Sequence, residues 1–306
     1  MRLLYMTNLE SPKWFHDALE QKPESHSIEV DGANISYLTW GKKENPGILF
    51  VHGGMAHAHW WSFIAPFFAK THRVIAMNLS GMGDSDWREN YASELWGKEI
   101  VEIAKYEKLT KPIIVGHSLG GMCSVVAASQ FKDELYGLVI VDTAIMPPSE
   151  IPDKFDFKIK ANKTYKSIED AKLRFRLVPS QGNSLDYIMD FIAEKSLRKV
   201  DDGWTWKFDP TYMSIFNTDG FKARQAILSD KLAGLECRVA VFRGEKSMLF
   251  SESASKYMRE LTNKKTPIIA IPEAHHHIMV DQPLALISAL RALVTDWDHS
   301  KPAKAE

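Results

Sequence analysis

The stretch Gly116-His117-Ser118-Leu119-Gly120-Gly121 has the form Gly-x-Ser-x-Gly and separates two runs of different character. The apolar run at residues 112–115 predicts a buried strand, and the run at residues 122–130 predicts a helix. A turn this sharp strains the backbone of its central residue and leaves no room for side chains two positions to either side, so glycine is required there. The turn therefore presents the Ser118 hydroxyl as a nucleophile, and the Leu119 N–H at the helix start is predicted to stabilise an oxyanion.

Similar apolar, β-branched runs recur along the chain and alternate with longer stretches of helical pattern. These further runs occupy residues 47–51, 73–77, 138–141, 239–242 and 267–271. An alternating stretch at residues 27–37, with an Asp-Gly turn in its middle, predicts an antiparallel hairpin ahead of them. The pattern predicts an α/β fold with about eight strands in a mostly parallel sheet flanked by helices.

The alternation breaks between Val141 and Val239, where helical stretches with many aromatic and charged residues follow Met146-Pro147-Pro148. We therefore predict a core formed by residues 1–145 and 226–306, with an inserted cap at residues 146–225. One cap segment carries the alternating cations Lys172, Arg174 and Arg176. A solvated helix face is the commoner interpretation of such a pattern, and pairing with a substrate carboxylate is the alternative.

Composition and charge narrow the class of protein. The 306 residues carry a formal net charge of −1 and contain two cysteines. Neither a nucleic-acid footprint nor a polybasic membrane patch is indicated, and a disulfide framework is excluded. No apolar run reaches the length of a membrane span, and the N-terminal apolar stretch is shorter than a signal-peptide core. We expect a cytoplasmic protein that binds a small molecule, without a cofactor or metal, as a monomer or homodimer.

A second oxyanion donor is expected from a loop that follows another central strand. The loop beginning with His52-Gly53-Gly54-Met55 directly follows the predicted strand at residues 47–51. Gly54 is the predicted donor, with Met55 as the reserve. His52 is expected to brace its own loop.

These motifs resemble the α/β-hydrolase superfamily, in its capped subgroup with a serine nucleophile. The resemblance rests on His52-Gly53-Gly54, on the segment Asn78-Leu79-Ser80-Gly81-Met82-Gly83-Asp84-Ser85, on the Ser118 turn and on a late histidine before Asp281-Gln282-Pro283. It covers residues 27–297 in order. It implies the strand order 1-2-4-3-5-6-7-8 and a mainly helical cap after the sixth strand.

A serine nucleophile needs a neighbouring base, usually histidine. Three candidates adjoin, namely His275, His276 and His277. In the family the catalytic histidine opens the loop after the last strand and precedes a helix-starting proline, which points to His276. Its neighbours are expected to be structural or solvent-facing, because consecutive side chains point in different directions. A metal cluster is disfavoured, since no cysteine or carboxylate ligand spacing accompanies the run.

The acid of the triad is where the sequence departs from the family. The family most often places an aspartate three residues after the glycine that ends the seventh strand, and Ser247 occupies that position here. Asp142, at the end of the predicted sixth strand, is the best substitute because that strand end lies beside the same histidine. Glu245 is the alternative acid, and a Ser–His dyad also stays open.

The resemblance implies a carboxylesterase-like enzyme that hydrolyses a carboxylic ester or a related lactone, thioester or activated amide through an acyl-enzyme. C–C bond hydrolysis or lyase chemistry on the same three residues is the alternative, and a non-catalytic small-molecule receptor is a third hypothesis. Serine at position 118 argues against reactions that use a carboxylate nucleophile. Met55, Trp60 and His117 are predicted to line the substrate pocket.

Overall fold

The computed structural model describes residues 11–131, 134–151, 161–182, 184–216, 221–262 and 264–300. Its strands are β1 Glu24–Val30, β2 Ala33–Trp40, β3 Gly47–Val51, β4 Arg73–Met77, β5 Ile113–His117, β6 Gly137–Val141, β7 Leu197–Val200, β8 Gly203–Trp206, β9 Arg238–Gly244 and β10 Ile268–Ile271. Its α-helices are α1 Lys13–Glu20, α2 Ser93–Tyr106, α3 Leu119–Phe131, α4 Ile168–Lys172, α5 Asp186–Lys195, α6 Phe221–Ala233, α7 Glu252–Leu261, α8 Ile278–Asp281 and α9 Pro283–His299. Among these residues, no helix has both the length and the apolar character that crossing a bilayer requires.

Eight of the strands form one sheet in the order β1-β2-β4-β3-β5-β6-β9-β10. The first two strands form an antiparallel hairpin, β2 pairs antiparallel with β4, and all the other pairs are parallel. The predicted eight-stranded α/β-hydrolase sheet and its strand order are therefore confirmed. The carboxyl ends of β3, β5, β6 and β9 lie side by side, and loops at such an edge are where α/β folds place their sites.

The central strands are buried on both faces, which is why their sequences are continuously apolar. Every residue of β3, β4, β5 and β6 is buried. On one face the sheet packs against α2, α3, α6 and α7, whose buried residues include Trp96 and Cys123. On the other face it packs against α1, α9 and residues 56–68, with Phe15, Trp61 and Leu286 in the core.

The segment between β6 and β9 contains α4, α5, the antiparallel pair β7–β8 and a 3-10 turn at Pro210–Phe216. It is attached to the core through the glycine-rich turn at residues 81–85. Met82 forms an isolated β-bridge with Phe208, and Asp84 lies 2.6 Å from the ammonium group of Lys207. The predicted cap boundary at residue 225 falls inside α6, and its residues 152–160, 183 and 217–220 lie outside the described part of the chain.

The Ser118 turn fits against the end of β3 only because residue 120 is glycine. A Cβ atom there would lie 2.3 Å from the carbonyl oxygen of His52 and 2.7 Å from that of Val51, both backbone atoms that cannot rotate away. By contrast, a Cβ atom at Gly234 would lie 3.4 Å from its nearest neighbour, which is ordinary contact.

We therefore expect Gly120→Ala to lower the free energy of unfolding by about 1–3 kcal/mol, because α3 must move away from β3. Gly234→Ala is the control, and it should change the free energy by less than about 0.5 kcal/mol. Urea unfolding followed by circular dichroism measures both changes. Equal stability of the two variants would contradict the close approach.

Candidate active site

Ser118 lies at the sharp turn between β5 and α3. Its φ angle is +53°, in the left-handed region that non-glycine residues adopt rarely. The Ser118 N–H donates to the Val141 carbonyl at 3.1 Å, and its own carbonyl accepts from the Thr143 hydroxyl at 2.9 Å. These two bonds tie the strained residue to the end of β6, so the hydroxyl has a fixed direction.

His276 brings an imidazole to this hydroxyl. It lies in the loop between β10 and α8, and its Nε2 atom is 3.1 Å from Ser118 Oγ. The side chain is only 4 % exposed. This distance is within the range for transfer of a proton from the hydroxyl to the ring.

Asp142 lies at the other end of the same imidazole. Its Oδ2 atom is 2.7 Å from His276 Nδ1, so Nδ1 carries the hydrogen and Nε2 faces the serine as an acceptor. The carboxylate is held by two further donors, the Gly244 N–H at 2.7 Å to Oδ1 and the Ser247 hydroxyl at 2.6 Å to Oδ2. Asp142 also has a left-handed backbone, with φ +45°, which turns its side chain back towards the histidine.

Glu245, the alternative acid, lies apart from this hydrogen-bonded set. Its side chain is exposed, and its Oε2 atom accepts from the Glu273 N–H at 2.9 Å. The structure therefore brings together Ser118, His276 and Asp142, and it leaves Glu245 exposed in the segment between β9 and α7.

The three consecutive histidines point in three directions. His275 contacts Asp281, with its Nδ1 atom 2.9 Å from Oδ2. His277 is buried, and its ring centroid lies 5.4 Å from that of Trp60. Only His276 faces the serine.

The loop after β3 is braced by His52, as its sequence position suggested. His52 Nδ1–H donates to the Gly53 carbonyl at 2.7 Å, and Nε2 accepts from the Leu79 N–H at 3.1 Å. Both contacts require a neutral ring. Burial lowers the pKa of His52 to about 4, against the opposing effect of its bond to Gly53, so the ring stays neutral near pH 7.

The backbone of this loop offers the expected donor. Within the described residues, neither the Gly54 N–H nor the Leu119 N–H donates to a backbone carbonyl. A Cβ atom at Gly54 would lie 2.7 Å from the Tyr212 hydroxyl oxygen, which explains glycine at this position. Burial raises the pKa of Tyr212, and the neighbouring Met55 backbone N–H opposes that effect. Gly54 stays the predicted donor of this loop, with Met55 as the reserve.

These groups meet in a catalytic pocket of about 300 Å³. Ser118 and His276 line it, together with Met55, Trp60 and His117, the three residues that were predicted for the substrate pocket. Most of the remaining wall is apolar, contributed by residues such as Leu119, Met122, Val178, Pro179, Met213, Phe216 and Leu249. Such a wall suits a carbonyl compound with an apolar part.

Among the described residues, one group of side chains has the composition of a metal site, namely His117, His276 and His277. Their ligand nitrogens all lie within 4.8 Å of one another. Both nitrogens of His276 are already in hydrogen bonds, and His117 Nε2–H donates to the His276 carbonyl at 3.0 Å. Burial and the neighbouring imidazoles lower the pKa of His117 well below its usual range, so it acts as a neutral donor that fixes the His276 backbone.

Sequence reasoning missed three residues that shape the site. Ser247 was noted only as the residue that replaces the usual acid, yet its hydroxyl binds the carboxylate. Thr143 follows directly after Asp142, but nothing in the sequence marks its bond to Ser118. Tyr212 belongs to the cap, whose contacts with the core depend on tertiary structure.

Comparisons with known proteins place these features in a family. The sequence profile described as "Alpha/beta hydrolase family" matches residues 48–290. An esterase of Mycobacterium tuberculosis is 23% identical over 275 residues, which cover 87% of this chain and 88% of the esterase. A 2-(acetamidomethylene)succinate hydrolase of Mesorhizobium japonicum is 24% identical, over 86% of this chain and 93% of that protein.

Solved structures agree at the level of the fold. The thioesterase domain from the curacin biosynthetic pathway superimposes with a TM-score of 0.74 at 19% identity, covering 88% of this chain and 99% of that domain. Since the family profile spans most of the chain and the sheet has the family's strand order, this protein belongs to the alpha/beta hydrolase family.

Proposed function

We propose that this hydrolase is a serine esterase that cleaves a carboxylic ester, or a related thioester, lactone or activated amide, through an acyl-enzyme. The observation that carries the proposal is the continuous line of hydrogen bonds from Ser118 through His276 to Asp142, 3.1 and 2.7 Å long, at the wall of a largely apolar pocket. Esterase-named relatives of similar length support the same reaction class.

In the first half-reaction, His276 Nε2 takes the Ser118 proton while Oγ bonds to the carbonyl carbon. The carbonyl oxygen becomes an oxyanion, which the N–H groups of Leu119 and Gly54 stabilise. The tetrahedral intermediate then collapses, the bond to the leaving oxygen, sulfur or nitrogen breaks, and the imidazolium gives its proton to that atom. Asp142 stabilises the imidazolium throughout by accepting the Nδ1 hydrogen.

In the second half-reaction, water attacks the acyl-enzyme. His276 removes a proton from the water as its oxygen bonds to the acyl carbon, and the Ser118 ester bond breaks. Ser118 recovers the proton and the carboxylic acid leaves. The same two N–H groups stabilise the second oxyanion, so one arrangement serves both steps.

We expect wild-type protein to turn over p-nitrophenyl esters of short or medium chain, and Ser118→Ala to lose at least about a thousandfold in kcat. Release of p-nitrophenolate measures turnover, and a pre-steady-state burst reports the acyl-enzyme. Absence of turnover on esters, thioesters and amides by folded wild-type protein would refute the proposal and favour C–C bond hydrolysis, lyase chemistry or a receptor.

Replacing each candidate acid by its amide should show whether Asp142 or Glu245 serves the catalytic histidine. Asp142→Asn is expected to lower kcat by about four orders of magnitude, because the amide favours the wrong tautomer of His276. Glu245→Gln is the control and should stay within about threefold of wild type, because its exposed carboxylate accepts from the Glu273 N–H and forms no hydrogen bond with Ser118, His276 or Asp142. The reverse ranking would assign the acid to Glu245.

Ser247 is expected to act as a positioning residue for Asp142. Ser247→Ala removes one of two donors that orient the carboxylate and should lower kcat by about three- to thirtyfold with little change in KM. Ser247→Thr keeps the hydroxyl and should recover most of this loss. A change confined to KM would contradict the positioning role.

A further inference from the structure

A second cavity, which we call the side chamber, adjoins the catalytic pocket. It has a volume of about 180 Å³ and lies between the loop after β3 and the cap. The two cavities share Gly54, Met55, Trp60, Val178 and His277 as lining residues, whereas Ser118 and His276 line only the catalytic pocket. A part of the ligand that lies in the side chamber is therefore remote from the carbonyl that would react with Ser118.

Three buried side chains of this chamber, Trp60, His57 and His277, have polar atoms without a hydrogen-bond partner in the described part of the chain. Trp60 is 5% exposed, and its indole Nε1–H has no acceptor. His57 is 2% exposed, and its Nδ1 atom is unpaired. Leaving a buried donor unsatisfied costs free energy, so a bound group that accepts from Trp60 is favoured there.

The tautomer of His57 follows from its neighbour. The Ser196 hydroxyl donates its single hydrogen to the Ile192 carbonyl at 2.7 Å. It must therefore accept from His57 Nε2–H, which lies 2.9 Å away. Burial first, and then electrostatic interactions with His59, His52 and Lys207, lower the pKa of His57 well below its usual range. His57 Nδ1 consequently carries a lone pair, which can accept a hydrogen bond from water or from a hydroxyl or N–H of the bound group.

The charge of the chamber is positive. Its lining includes Arg174, Arg176 and Lys207, and no described aspartate or glutamate lines it. The positive charge of Lys207 is paired with Asp84, whose Oδ1 atom lies 2.6 Å from Lys207 Nζ. Arg176 is held by the carbonyls of Leu173 and Phe175, and neither guanidinium forms an ion pair with a described residue. Cationic side chains and an unsatisfied donor among the lining of one cavity have the chemistry of a carboxylate site.

We propose that the side chamber binds a carboxylate carried by the substrate at the end remote from the bond that is cleaved, with Arg174 and the Trp60 N–H as its main partners. The inference rests on the proposed esterase function, which it extends to half-esters and other acyl compounds with a free carboxylate. The catalytic pocket then holds the apolar spacer and the reacting carbonyl, and the cap supplies the anion-binding cation.

The test compares matched esters. One series pairs p-nitrophenyl monoesters of straight-chain dicarboxylic acids with p-nitrophenyl esters of monocarboxylic acids of equal carbon number. A second series places the carboxylate on the alcohol side, as butyrates of ω-hydroxy acids against butyrates of plain alcohols. In at least one series we expect kcat/KM to favour the carboxylate by about tenfold or more at one chain length. No preference in either series, with neutral esters still hydrolysed, would overturn the subsite and leave the esterase proposal standing.

Variants assign the preference to residues. Arg174→Gln should bring the ratio of kcat/KM for charged and neutral ester close to one, Arg174→Lys should retain part of it, and Trp60→Phe should reduce it about threefold or more. Lys172→Gln is the matched control, because Lys172 lies on the same segment, pairs with Asp190 at 2.7 Å and does not line the chamber. An unchanged ratio in Arg174→Gln would overturn the assignment.

A binding measurement separates this inference from the catalytic one. The same ester pairs are titrated against Ser118→Ala, with intrinsic tryptophan fluorescence as the readout, since Trp60 and Trp206 line the chamber. Tighter binding of the carboxylate ester supports the subsite even if wild-type protein hydrolyses neither compound. Equal binding of the two overturns it.

Discussion

The close approach of α3 to the end of β3 is the constraint on which the site depends. Gly120 lies against the carbonyls of Val51 and His52, and this contact brings the Ser118 turn and the loop after β3 close together. The Leu119 N–H at the start of α3 and the Gly54 N–H in the loop after β3 therefore have a spacing that is set by backbone contact. Side-chain flexibility cannot alter that spacing, which is what preorganised stabilisation of an oxyanion requires.

The parallel sheet completes the arrangement. Since β5, β6 and β9 are neighbours and all run in the same direction, Ser118, Asp142 and Gly244 emerge at one edge. Left-handed backbone at both Ser118 and Asp142 turns the chain sharply at that edge. The backbone strain at Ser118 and Asp142 is local. Hydrogen bonds to Val141, Phe242 and Thr143 hold these two residues in this conformation.

Much of the fold could be predicted from the sequence, because buried parallel strands are continuously apolar and the Ser118 turn has a steric signature. Periodicity alone does not predict the order of the strands in the sheet. The resemblance to a family does predict it. The choice between Asp142 and Glu245 depended on the direction of each side chain at a strand end, which a sequence does not encode locally. Tyr212 of the catalytic pocket and Ser196 of the side chamber were not anticipated, because both reach these cavities from the cap through contacts distant in sequence.

Ser247 and Asp142 are hydrogen-bonded neighbours at the ends of adjacent strands, although they are 105 positions apart in the chain. A carboxylate at either strand end would thus lie close to the same imidazole. During divergence, a chain could acquire an acid at one end before losing it from the other, and the histidine would have a partner at every step. The carboxylate that pairs with His276 could accordingly be supplied from either of two adjacent strands without any displacement of the imidazole.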